Sequence, residues 1–108
     1  MRRLRSVLVL AGLLAAAPAA ADVQTAVAMV RAEPGVLAAV PDGAGNLWVS
    51  VLANPQVNWN GYAQVICRMV VPQQARIFLV KVVDVNSTHQ SRNPRTWKLI
   101  GGARCAAQ

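Results

Sequence analysis

The stretch "ARIFLVKVVDV", Ala75 to Val85, carries the strongest β signal in the chain. It is dense in β-branched residues, which suit a pleated, packed surface. Phe78, Val80 and Val82 fall on one side of such a strand; Ile77, Leu79 and Val83 fall on the other. Both sides are apolar, as in a central strand covered on two faces. The rest of the fold is read outward from it.

Upstream, "NGYAQVICRM" (Asn60 to Met69) has helical periodicity. Tyr62, Val65, Ile66, Met69 and Val70 form one apolar arc, with Gly61, Gln64 and Arg68 opposite and Cys67 at the margin. Pro72 closes this helix, because proline disfavours helical geometry in the residue before it. Before it stand a loop, "NPQVNWNG", and a strand, "NLWVSVLA" (Asn46 to Ala53). Leu47, Val49 and Val51 alternate there with Trp48, Ser50 and Leu52. "PDGAG" (Pro41 to Gly45) is a turn. It links that strand to a shorter one at Val36 to Val40, and the pair reads as a hairpin. Val23, Ala26, Val27 and Val30 make the stripe of a first helix, which Pro34-Gly35 ends. Downstream of Ala75–Val85 come a polar loop, "NSTHQSRNPR" (Asn86 to Arg95), and a short strand through "TWKLI" (Thr96 to Ile100). Gly101-Gly102 then reads as a loose tail leading to Cys105.

The order α-β-β-α-β-(β) predicts a small α+β two-layer sandwich. Two helices would lie on one face of a sheet of three or four largely antiparallel strands. If the helices cover Leu47, Val49 and Val51, then Trp48, Ser50 and Leu52 point to the outer face, beside Ile77, Leu79 and Lys81 or their alternates. An outer face left open there would be an interaction patch.

The N-terminus has the order of a secretory signal: Arg2, Arg3 and Arg5, an apolar run from Val7 to Ala17, then Pro18 and small residues. The expected cleavage follows Ala21, so residues 1–21 are a signal peptide and 22–108 a single domain with no membrane span. The apolar run is shorter than the roughly 20 residues a membrane helix needs. The pair Arg2-Arg3 is similar to a twin-arginine signal, but Arg5 interrupts the apolar continuation, and general secretion is the expectation. The signal holds three of the eleven basic residues and none of the four acidic ones, so the charge of the remainder is about +4 rather than +7. That is too small to argue for nucleic acid as a partner. The preference for Arg over Lys, nine to two, suits a GC-rich bacterial genome.

The chain has two cysteines, Cys67 and Cys105. Behind an export signal such a pair is expected to form a disulfide, located in the periplasm or outside the cell. The closed loop of about 39 residues is worth about 3.9 kcal/mol in the chain-entropy description. Catalytic readings have less to build on. A nucleophilic Cys67 needs a base, and the single histidine, His89, lies in the polar loop. There is no CxxC, no CxxCH, no glycine-rich phosphate loop, no GxSxG and no HExxH. Two cysteines, one histidine and scattered carboxylates at Asp22, Glu33, Asp42 and Asp84 make no metal set and no acid–base pair. No cofactor or metal is therefore expected.

The order after the export signal, over roughly Asp22 to Val85, resembles in topology the small envelope modules called BON domains. Their glycine-centred motif has no counterpart in this chain. The resemblance implies an envelope module of the same α+β architecture and transfers no residues.

The expectation is an exported binding or accessory protein without catalytic activity. Its partner would be another envelope or secreted protein, or an anionic surface. Candidate binding residues are Trp48 on the outer sheet face and Arg92, Arg95, Trp97 and Lys98 around the polar loop. One alternative is an inhibitor of a hydrolase that presents the loop 86–95. Another is a weak thiol enzyme using Cys67 and His89.

Overall fold

The computed structural model describes residues 19–73 and 75–105. The expected signal lies mostly outside these residues, and its boundary at Ala21 falls within the first helix. In chain order the elements are α1 (Ala19–Arg31), β1 (Ala38–Pro41), β2 (Asn46–Val51), α2 (Trp59–Val70), β3 (Leu79–Asp84), the short α3 (Val85–Thr88) and β4 (Leu99–Arg104). Single 3-10 turns lie at Val71–Gln73 and Pro94–Thr96.

The sheet order is β1-β2-β3-β4. The predicted hairpin is present: β1 pairs antiparallel with β2. β3 and β4 are also antiparallel, so two of the three ladders have the expected sense. The central ladder is parallel, with Leu47 beside Val80 and Val49 beside Val82. The cause is the connection. α2 joins β2 to β3 as a helical crossover, which brings the chain back to the same end of the sheet.

The core lies between the inner sheet face and the helices. α1 contributes the predicted stripe, with Ala26, Val27 and Val30 buried and Val23 packed against them. β2 contributes Leu47, Val49 and Val51, and β3 contributes Val80 and Val82. The face that α2 buries differs from the sequence expectation. Ala63, Ile66, Cys67 and Val70 are buried, whereas Val65 is exposed. Cys67 is therefore inside the core rather than at its margin. Close approach to β4 turns the helix. A Cβ placed on Gly101 would stand 2.5 Å from Trp59 Cβ and 2.7 Å from the Trp59 carbonyl carbon. Only the absence of a side chain at Gly101 lets the start of α2 lie there, and the small residues Ala63 and Cys67 line the buried face below it. Asn58 caps the helix by accepting from the Gly61 N–H at 3.1 Å.

Gly101-Gly102 is consequently part of β4, not a loose tail. The strand expected at Thr96–Ile100 begins at Leu99 and continues to Arg104. Cys105 follows, its N–H donating to the Phe78 carbonyl at 2.8 Å. It joins Cys67 in the predicted disulfide, with a Cα separation of 5.0 Å.

β3 is shorter than the stretch that announces it. Arg76 has φ of 57°, in the left-handed region. Ala75 and Ile77 turn into the core, Phe78 turns out, and Val80 is inside again, so the alternation slips by one. Phe78 and Leu79 both donate to the Gly45 carbonyl, at 2.8 and 3.1 Å. The Phe78 ring rests on Gly45, where a Cβ would meet it at 2.9 Å.

Both sheet edges are blunted. On β1, the Arg31 guanidinium donates twice to the Ala39 carbonyl, at 3.2 and 2.9 Å, and Pro41 has no N–H. On β4, Asn60 Oδ1 accepts from the Gly102 N–H at 3.0 Å. An occupied edge offers little to an incoming strand.

Candidate functional site

The outer sheet face is not the open apolar patch that a plain two-layer fold would leave. Trp48, Ser50 and Val83 all point outward, yet they are 9%, 5% and 0% exposed. The segment between β3 and β4 folds back across them. Asp84 caps α3 by accepting from the Asn86 N–H at 3.0 Å. Ser87 Oγ donates to the Asp84 carbonyl at 2.6 Å and accepts from the Lys98 N–H at 2.9 Å. Asn93 Oδ1 accepts from the Arg95 N–H at 3.1 Å and starts the 3-10 turn with Pro94 at its first position. That turn delivers Trp97. Its indole N–H donates to the Ser91 carbonyl at 2.7 Å. Its ring stands at 87° to that of Trp48, 5.6 Å between centroids, an edge-to-face pair.

Beyond this contact the outer face opens into a cleft of about 660 Å³, lined among others by Asp42, Trp48, Lys81, Asn93, Arg95 and Trp97. The size lies within the usual range for small-ligand sites, roughly 300–1,000 Å³. The Lys81 ammonium lies 4.8 Å from the Trp48 ring centroid, in cation–π position.

Asp42 locks one wall. Its Oδ1 accepts from the N–H groups of Ala44 (2.8 Å) and Asn46 (3.2 Å). Its Oδ2 accepts from Asn46 Nδ2 (2.8 Å) and from the Trp48 indole N–H (3.1 Å). Burial alone would raise the carboxyl. Hydrogen bonds from the Ala44 N–H, the Asn46 side chain, the Trp48 indole and the Asn46 N–H outweigh it, and the pKa falls from 3.8 to about 2. One side chain thus closes the hairpin turn and holds the Trp48 indole in place.

Of the five candidate residues, Trp48, Arg95 and Trp97 meet at the cleft. Arg92 and Lys98 are exposed and are not among its lining. Lys98 serves through its backbone, whose carbonyl accepts from the Asp84 N–H at 3.0 Å. Sequence reasoning places Lys81 on one of two alternative outer sets but assigns it no role, and it misses Asp42 and Asn93. The available signals are a cation in the middle of an apolar strand and an Asx residue opening each of two turns.

Cys67 and Cys105 are bonded to each other, and His89 is exposed. The bond removes the thiolate on which the thiol-enzyme alternative depends. Among the described residues no three of His, Cys, Asp and Glu gather as a metal set, and no helix is long and apolar enough to cross a membrane. No family model, curated protein or solved structure matches the chain.

Proposed function

We propose that the protein is an exported, disulfide-stapled binding or accessory module rather than a catalyst, and that it binds through the outer-face cleft. The observation that carries this reading is the convergence of Trp48, Lys81, Arg95 and Trp97 on one cleft of ligand size. The order of the N-terminal sequence supports export, as does the Cys67–Cys105 bond, since disulfides persist in oxidising compartments. The bond also ties β4 to α2 and so steadies one end of the segment that carries Arg95 and Trp97.

The test has two parts. Cell fractionation with thiol alkylation is expected to find the protein outside the cytoplasm with no free thiol; a cytoplasmic, reduced protein would sink the export claim. Cross-linking capture from the envelope is expected to recover a partner that Arg95→Glu loses and Arg92→Glu keeps. Equal capture by both variants would remove the cleft from the reading.

A second reading, the hydrolase inhibitor, rests on one observation. Residues 86–95 present exposed Asn86, His89, Gln90 and Arg92 on a segment pinned by Asp84, Ser87 and Trp97. An inhibitory loop gains affinity from such preorganisation. Nicking it between His89 and Arg92 should abolish inhibition of a target hydrolase; unchanged inhibition excludes this reading.

A further inference from the structure

The charges of the cleft do not balance internally. Asp42, its carboxylate, already accepts four hydrogen bonds, from Ala44, Asn46 (twice) and Trp48. A carboxylate has about four lone-pair sites, so these acceptors are used. Two cations line the same cleft, Lys81 and Arg95. Among the described residues neither side chain has a hydrogen-bond or carboxylate partner; Lys81 instead leans on the Trp48 ring. The cleft therefore holds one more positive charge than negative, with its donors directed to no protein acceptor. Beside the cations lie Trp48, Pro94, Trp97 and Leu99, and Leu99 is 56% exposed.

Resting on the binding-module reading above, we infer that the cleft binds a single carboxylate joined to a flat apolar ring. The carboxylate lies between Lys81 and Arg95, and the ring lies against Trp97 and Leu99. One negative charge neutralises the site. Arg95 offers a planar fork that matches a carboxylate, and Lys81 a compact charge lining the same cleft. The ring provides the apolar contact that a hydrated inorganic anion lacks. Such a carboxylate is carried both by free aromatic acids and by a peptide ending in an aromatic residue.

The probes are N-acetylphenylalanine, its uncharged amide, acetate, and the peptide Ala-Ala-Phe with a free C-terminus. Each is titrated into the oxidised protein while the indole N–H resonances are followed by NMR. Trp48 and Trp97 report on the cleft. Trp59 lies outside it, its indole N–H donating to the Asn54 carbonyl at 3.2 Å, and serves as the internal control. The acid is expected to shift Trp48 and Trp97 saturably and to bind at least about 10-fold more tightly than the amide, the worth of one charge-assisted contact. Acetate should bind more weakly than the acid for want of the ring. Lys81→Gln and Arg95→Gln should each weaken the acid by about 5-fold or more and leave the amide unchanged, with the Trp59 signal attesting the fold. At about 1 M salt, where the Debye length is about 3 Å, the advantage of the acid should shrink. Tighter binding of the tripeptide assigns the carboxylate to a chain end; equal binding assigns it to free acids. An amide that matches the acid, or variants that bind the acid unchanged, overturns the inference. If no probe shifts Trp48 or Trp97 while envelope capture still depends on Arg95, the ligand class is wrong and the binding-module reading stands. Failure of both removes both.

Discussion

The inner face of the sheet is buried along its central strands and the outer face only in part, at Trp48, Ser50 and Val83, and the two are covered by unlike means. On the inner face, α1 and α2 lay an apolar layer over Leu47, Val49, Val51, Val80 and Val82. On the outer face, one short segment held mainly by side-chain to backbone hydrogen bonds covers Ser50 and Val83 and leaves the cleft open beside Trp48. The inner cover is held by packing and a disulfide. The outer cover is held by caps and turns, each worth about 1 kcal/mol. A domain this small buries a modest share of its surface, so the packed inner face carries most of its stability.

The largest effect belongs to the staple that serves the inner side. Cys105→Ser should lower unfolding free energy by about 4 kcal/mol in denaturant titration, enough to unfold much of a marginal domain. A loss under about 1 kcal/mol would mean that packing on α2 holds β4 without the bond. Gly101→Ala follows, at about 3 kcal/mol, because the new methyl meets backbone atoms of Trp59 that cannot swing aside.

The sharpest comparison uses adjacent residues. Val82 and Val83 are both 0% exposed, the first on the inner face and the second on the outer. Val82→Ala should cost about 2 to 3 kcal/mol, because two helices cannot settle into the gap. Val83→Ala should cost about 1 kcal/mol, because a single helical turn can. Equal losses would show the outer cover to be as rigid as the inner one.

The smallest effect is on the outer face and depends on pH. Asp42 has a folded pKa of about 2 against an ordinary 3.8. The unfolded chain therefore takes up a proton first as the pH falls. The stabilisation is present above about pH 4 and is lost towards pH 2. Wild type should lose stability over that window by a small amount that Asp42→Asn abolishes, and the variant should show a displaced Trp48 indole resonance at neutral pH. An unchanged acid profile in the variant would assign the loss to another group.

Much of this frame was legible in the chain. The stripe Val23, Ala26, Val27 and Val30 and the alternation Leu47, Val49 and Val51 are local periodicities, and each fell on the inner face. The hairpin followed from "PDGAG", and the Cys67–Cys105 pairing from there being two cysteines. The candidate site was half legible. Trp48, Arg95 and Trp97 stood out by type, while Asp42 looked like an ordinary turn residue because its four donors come from folding the turn.

The sequence by itself determined the order of elements, which residues alternate, where turns fall and which cysteines can meet, because these depend on neighbours a few bonds away. Only the tertiary structure decided the parallel pairing of β2 with β3, the rotation of α2 that takes Cys67 into the core, the role of Gly101 and the fold of residues 85–97 over Trp48. Each of these is a contact between distant segments. Its energy depends on shape at the point of meeting, and periodicity shows that a face is apolar without showing what will cover it.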